Sequence, residues 1–225
     1  MSSSETEFST ETYAEFARVR TLMNEEQMIY DLCEELQPND IFYDIGANIG
    51  VYSCLAGSIT TEGQVVAFEP HPENIKSLTS NIDRNGINAA ILETALSDES
   101  DTLVLAEEGS GAGHGEHQIT EDSTKNGIRI DVRSLDAVRR GEGLPQPNVL
   151  KIDVEGAEYD VIKGGLQTLS ANDCRLVYCE IHPEKVQTFG GSYDDVIDTL
   201  AESGFTVVDT FGGEGTSNPM IKATK

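Results

Sequence analysis

FYDIGANIG, residues Phe42 to Gly50, sets the reading of the whole chain. A short apolar run delivers Asp44 into a turn built of Gly46, Ala47, Asn48 and Gly50. Small residues at a strand end let backbone approach a ligand, because glycine has no Cβ and tolerates positive φ. The pattern D-x-G-x-N-x-G predicts a strand over 41–45, a tight turn, and a helix beginning near Gly50. A dinucleotide site would instead read G-x-G-x-x-G, with a helix N-terminus aimed at pyrophosphate. Here Asn48 holds the place of the second glycine, and the Asp44 carboxylate would repel a pyrophosphate. An acid at that point suits a cationic group, such as an amino acid's ammonium.

Outward from this strand the same pattern repeats. Apolar runs fall at 41–45, 64–69, 89–94, 148–154, 175–181 and 205–210. Helical spacing lies between several of them, at about 50–58, 72–84, 158–168 and 193–203. Such alternation predicts an α/β fold, a mostly parallel sheet with helices on both faces. Before the first strand, TLMNEEQMIYDLCEEL (21–36) spaces Met23, Met28, Ile29, Leu32, Cys33 and Leu36 as one helical face. Residues 1–20 read as an acidic extension, poorly ordered or helical, ahead of a single domain over 21–225. One stretch breaks the alternation. Residues 101–108 and 127–135 read as strands around a polar, glycine-rich insert, so 107–126 is expected to be a binding loop or a mobile one with no regular element. His114 and His117 in it have metal-like spacing, but no further Cys or His is near, and they read as surface residues.

Composition narrows the function classes. Forty acids against fifteen bases give a formal charge of -25, dispersed along 225 residues. Dispersal favours a protein kept hydrated in a very salty cytoplasm over one with a specific basic partner. So few Lys and Arg disfavour a nucleic-acid partner. No run of 18 apolar residues is available to span a membrane, and the polar, acidic start does not read as a signal or transit peptide. Cys33, Cys54, Cys174 and Cys179 form no CxxC pair and read as free thiols in a reducing cytoplasm.

The later strand tips add chemistry. Glu69 in VVAFEPHPEN follows Gly50 by 19 residues, near the spacing at which an acid on the second strand binds ribose hydroxyls. Together with the acidic first turn it asks for a nucleoside carrying a cationic amino acid, which describes S-adenosylmethionine. In NVLKIDVEGAEYDVIKGG, Asp153 and Glu155 fall at a strand's carboxyl end and Glu158 opens the next helix. Three acids so close could hold Mg²⁺, but D-x-E-G-x-E lacks a complete hard-ion cage, and no metal is assigned. They could equally neutralise a sulfonium and orient an acceptor. Lys151, flanked by Leu150 and Ile152, needs an acidic partner for a buried ammonium, and Asp44 is a candidate. In VYCEIHPE, Glu180 and His182 share one side by strand alternation, and His182 is placed to remove a proton from a hydroxyl.

Taken together, FYDIGANIGVYS, VVAFEPHPEN, TALSD (94–98), VRSLD (132–136), LKIDVEGAE and CEIHPE resemble the FkbM family of S-adenosylmethionine-dependent methyltransferases, over about 40–210. The resemblance implies a class I methyltransferase (Rossmann-like) fold, with a seven-stranded sheet whose last strand is antiparallel. It implies a cofactor set of Asp44, Gly46, Ala47, Asn48 and Gly50, then Glu69, Pro70 and His71, with Ala95, Leu96 and Ser97 near adenine and Asp153 beside the methyl group. The implied reaction is O-methylation of a small-molecule or sugar hydroxyl, with His182 as first candidate base, Glu155 second, and Asp153 beside them. An amine or protein side chain as acceptor, or a silent cofactor-binding module, are the competing readings.

Overall fold

Phe42 and Tyr43 point to opposite faces of one strand, and each face collects its own layer of helices. The computed structural model describes residues 6–10, 12–21, 25–106, 118–120, 127–212 and 217–225. Two helices come first, α1 (Tyr13–Thr21) and α2 (Glu26–Glu35). The core then opens with β1 (Ile41–Ile45), α3 (Val51–Ile59), β2 (Gln64–Phe68), α4 (Pro72–Asn85) and β3 (Ala89–Leu92). An excursion follows through β4 (Ala95–Ser97), β5 (Asp101–Ala106), β6 (Gln118–Thr120), β7 (Gly127–Ser134) and α5 (Leu135–Gly141). The chain returns through β8 (Val149–Ile152), α6 (Glu158–Gly164), α7 (Leu166–Ser170), β9 (Leu176–Glu180), α8 (Pro183–Val186) and α9 (Tyr193–Glu202). It ends in β10 (Thr206–Phe211) and β11 (Met220–Thr224).

The main sheet has seven strands in the order β10-β11-β9-β8-β1-β2-β3. Only β11 runs against its neighbours, antiparallel to both β9 and β10. β1 lies between β2 and β8, parallel to both, so its residues are covered on both faces. Tyr43 joins Leu150, Ile152, Val161 and Leu135 on one side, whereas Phe42 joins Met28, Leu32 and Tyr52 on the other. Burying these side chains, each worth about 1.5–3 kcal/mol, holds the layers together.

Most predicted runs became strands or helices within two or three residues. Three differences matter. The helical face expected over 21–36 is the single helix α2, while α1 ends at Thr21. The insert, expected to hold no regular element, contains β6, which pairs antiparallel with β5 in a second sheet of order β4-β7-β5-β6. His114 and His117 lie outside the described residues. Finally, β11 was not foreseen as a run of its own, because five residues with no preceding helix give little local signal.

Two glycines fix how the second sheet meets the first. A Cβ on Gly164 of α6 would lie 2.0 Å from the Ser97 carbonyl oxygen, so only glycine lets α6 pack onto the end of β4. One on Gly165 would press on Leu135 of α5 at 2.8 Å.

Candidate active site

The turn after β1 is closed on itself. Gly46 N–H and Ala47 N–H both donate to the Phe68 carbonyl, and Gly50 N–H donates to the Ala47 carbonyl. Asn48 N–H donates to Glu69 Oε2 at 2.8 Å, and Ile49 N–H to the Asn48 side chain at 2.9 Å. Every N–H from Gly46 to Gly50 is therefore spent inside the protein. A pyrophosphate site depends on such groups being aimed outward, so this turn is built for a ligand without phosphate. Asn48 adopts φ 52°, a left-handed conformation that Asn tolerates better than most side chains.

Gly46 is required for a reason other than ligand approach. Its φ is +79°, and a Cβ there would lie 1.8 Å from the Asp153 carbonyl oxygen. The glycine thus brings the tips of β1 and β8 together. Gly50, φ +88°, seats α3 against Leu78 of α4, with a Cβ contact of 2.5 Å.

A cleft opens above these strand tips. Of the expected residues, Gly46, Asn48, Glu69, Pro70, Ala95, Leu96, Asp153, Glu155 and His182 line it. Ala47, Gly50, His71 and Ser97 do not. Ala47 packs with Leu78 and Ile82, while His71 caps α4, its Nδ1 accepting from Glu73 N–H at 3.2 Å. Asp44 also fails to reach the cleft. It is fully buried, accepts from Ser53 Oγ at 2.6 Å, and lies 3.5 Å from Lys151 Nζ. The acid expected to meet a ligand's ammonium is instead half of a buried pair, and Asp153 is the acid at that end of the cleft.

Lys151 organises the floor. Its Nζ donates to the Gly46 carbonyl at 3.0 Å and sits 3.4 Å from Asp153 Oδ2. Burial disfavours its charge, but Asp153 and Asp44 outweigh that and raise its pKa. Asp153 is lowered in turn: burial opposes ionisation, and Lys151, Arg18 and His182 overcome it. Glu69 accepts from Asn48 N–H and His71 N–H, both at 2.8 Å, and from Asn74 Nδ2 at 3.2 Å. A carboxylate has about four acceptor positions, so Glu69 keeps about one for a ribose hydroxyl, and the residues fit the nucleoside they were read to bind.

The wall next to Asp153 is carried by the residues after β8 and β9. His182 Nδ1 lies 2.9 Å from Glu158 Oε1, and its Nε2 lies 3.3 Å from Glu155 and 4.0 Å from Glu180. Burial works against a charged imidazole, yet Glu158, Glu155 and Asp153 together push it up to about 9. The shift favours the charged ring, which is a donor; the proton-acceptor role expected of His182 needs its neutral form. The Glu180 pKa also rises, which for a carboxyl favours the neutral form: burial, then Asp153, raise it to about 7 against the pull of His182. Glu155 adopts φ 57°, a strained setting for a non-glycine residue, and its Oε2 accepts from Lys185 Nζ at 2.5 Å.

Asp153, Glu155 and His182 each offer one ligand atom within 4.8 Å of the others, a spacing a divalent cation accepts. Here the donors are already used. A protonated imidazole has no lone pair to give, and Lys185 holds Glu155, so a cation would have to displace a proton and an ammonium.

Sequence reasoning missed several wall residues: Arg18, Glu25, Asn74, Thr94 and Asn218. Arg18 is the least expected, since it arrives from α1 in the stretch read as an extension. The hydrophobic spacing Phe16–Val19 was its only local signal.

A nucleoside-binding turn with no donors left for phosphate, at the tips of a sheet in this strand order, defines a class I methyltransferase that uses S-adenosylmethionine. Comparison with known proteins agrees. Residues 44–207 match the Methyltransferase FkbM domain. The chain is 34% identical over 175 residues to the hexuronic acid methyltransferase AglP of Haloferax volcanii, covering 78% of this chain and 70% of that protein. It is 29% identical to the 31-O-demethyl-FK506 methyltransferase FkbM of Streptomyces tacrolimicus, over 77% of this chain and 75% of that one. Among solved structures, the magnesium protoporphyrin IX methyltransferase of Synechocystis PCC 6803 superposes with a TM-score of 0.53 over 97% of this chain and 86% of that one, at 10% identity, a likeness of fold alone. The protein belongs to the FkbM methyltransferase family. No helix among the described residues is long and apolar enough to cross a membrane.

Proposed function

We propose that the protein methylates a hydroxyl oxygen of a small, sugar-like acceptor. Glu180 carries this reading. It lines the cleft at the tip of β9 and is pushed up to about 7 by burial and by Asp153, where a carboxylate is suited to take a hydroxyl proton at neutral pH. S-adenosylmethionine supplies a methyl carbon already activated by its sulfonium. The chain has only to hold the acceptor oxygen in line and receive its proton. Charged His182 presents Nε2–H toward Glu155 and Glu180, which fits it to hold the acceptor oxygen. Glu155 is engaged by Lys185 and His182, which makes it the weaker base. Asp153 contributes negative charge at the cofactor end. Likeness to a hexuronic acid methyltransferase supports a sugar acceptor.

The acid-rich wall of Glu25, Asp153, Glu155 and Glu180 also suits an ammonium, and an amine acceptor is the second reading. Incubation with S-adenosylmethionine and matched panels of sugars, sugar acids and amines, with the methylated atom located by mass spectrometry, separates the two. An alkali-stable ether is expected. An alkali-labile ester would place the methyl on a carboxylate oxygen, which needs no base. Glu180→Gln should slow transfer to a hydroxyl by about 10²–10⁴-fold with S-adenosylhomocysteine affinity unchanged; an unaffected rate would remove Glu180 from the role.

The dispersed charge and the four free thiols support a salt-adapted protein of a reducing cytoplasm. Its Tm should rise between about 0.1 M and about 2 M KCl as self-repulsion is screened. A flat curve would count against salt adaptation.

A further inference from the structure

We propose that Arg18 clasps the carboxylate at the methionine end of the cofactor, making α1 part of the cofactor site. The cleft can be followed by contacts. Glu69, the ribose acid, holds Asn48, Gly46 abuts Asp153, and Asp153 Oδ2 lies 3.5 Å from Arg18 Nη2. Arg18 is thus at the end away from Glu69, beside the turn that the amino-acid part must cross.

Charge makes the requirement specific. The other charged residues lining the cleft are Glu25, Glu69, Asp153, Glu155, Glu180 and His182. Five of these six are acids, which would accept the cofactor's ammonium and repel its carboxylate. His182 gives Nδ1 to Glu158 and faces Glu155 and Glu180 with Nε2. Arg18 is the cation beside the turn, and a guanidinium presents five donors in a fork that matches a carboxylate. Asp153 at 3.5 Å and Glu25 at 3.4 Å hold its charge in place at the cleft wall.

The helix that carries Arg18 is moored to the cofactor turn. Val19 and Phe8 pack on Ile49 and Val51. Glu15, only 3% exposed, accepts from Ser77 Oγ of α4 at 2.5 Å and from Thr12 N–H at 2.7 Å. Ser9 N–H donates to Asn81 Oδ1 at 2.9 Å. Glu25 also accepts from Tyr52 OH, on the first turn of α3. A buried acid and three side-chain bonds fastening a leading segment to α3 and α4 are what a fixed arginine needs.

This role requires only the cofactor and stands whatever the acceptor is. Calorimetry on the full chain tests it with three probes: S-adenosylhomocysteine, its amine analogue lacking only the carboxylate, and 5′-methylthioadenosine, which lacks both groups. Arg18→Met should weaken S-adenosylhomocysteine by about 10- to 100-fold, the value of a charge-assisted pair. The amine analogue and 5′-methylthioadenosine should change less than about twofold, which also reports an intact nucleoside site, and Arg18→Lys should fall between. Equal weakening of all three probes, or of S-adenosylhomocysteine and the amine analogue alike, would overturn the clasp. So would unchanged S-adenosylhomocysteine binding.

Discussion

His182 Nδ1 and Glu158 Oε1 meet at 2.9 Å with neither side chain more than 3% exposed. Glu158 Oε1 also accepts the Gly156 N–H at 2.9 Å, while its Oε2 is buried with no hydrogen-bond partner among the described residues. The acid that opens α6 therefore turns back to fix the imidazole at the tip of β9. Through that contact it influences the charge along this wall of the cleft, because a protonated His182 stabilises the ionised forms of Glu180 and Asp153.

Glu158→Gln should lower the His182 pKa from about 9 toward its ordinary value of 6.5, read by NMR titration of the ring. The sign for stability follows. A group raised on folding stabilises fully below its unfolded pKa and loses that contribution as pH rises through its folded one. The wild-type protein should lose roughly 3 kcal/mol from this group between pH 6.5 and about 9, and the variant should show a flatter curve. An unchanged histidine titration would contradict this account of Glu158.

Gly46→Ala should be far more costly than Gly86→Ala. Both glycines have positive φ, +79° and +62°, but only at Gly46 does a Cβ collide, 1.8 Å from the Asp153 carbonyl oxygen. The conformational term alone is about 1 kcal/mol, and the collision should bring Gly46→Ala to about 3 kcal/mol or more. Thermal melts of the two variants decide it. Equal losses would mean that the strand tips can separate.

Lys151→Met should destabilise by about 3–5 kcal/mol, because it leaves fully buried Asp44 without its cation and takes from Asp153 one of its two. Adding Asp44→Asn should recover part of the loss by removing the stranded charge. Denaturant unfolding of the single and double variants completes the comparison. No recovery in the double variant would show that Asp153, not Asp44, is the partner that matters.

Much of the site was legible because its parts are local. D-x-G-x-N-x-G, the acid of VVAFEP and the turn of KIDVEGAE each concern a few consecutive residues at a strand end, and strand alternation brings those ends to one edge of the sheet. Where a side chain points at that edge was less legible. Asp44 looks like a ligand-facing acid from its place in the turn, but its register partner on β8 is Lys151, and a buried ammonium claims it. His182 looks like a base from its place beside a proline, but its charge is decided by Glu158 and Glu155, 24 and 27 residues earlier in the chain.

By itself, then, the sequence determined the alternating α/β plan, the methyltransferase family and the cofactor, since each is written in short-range pattern. Tertiary structure alone decided three things: the insertion of β11 between β9 and β10, the raised pKa of His182, and the arrival of Arg18 beside Asp153. These are contacts between residues distant along the chain, fixed by strand register, shared burial and the summed field of several charges, and no local spacing encodes any of them.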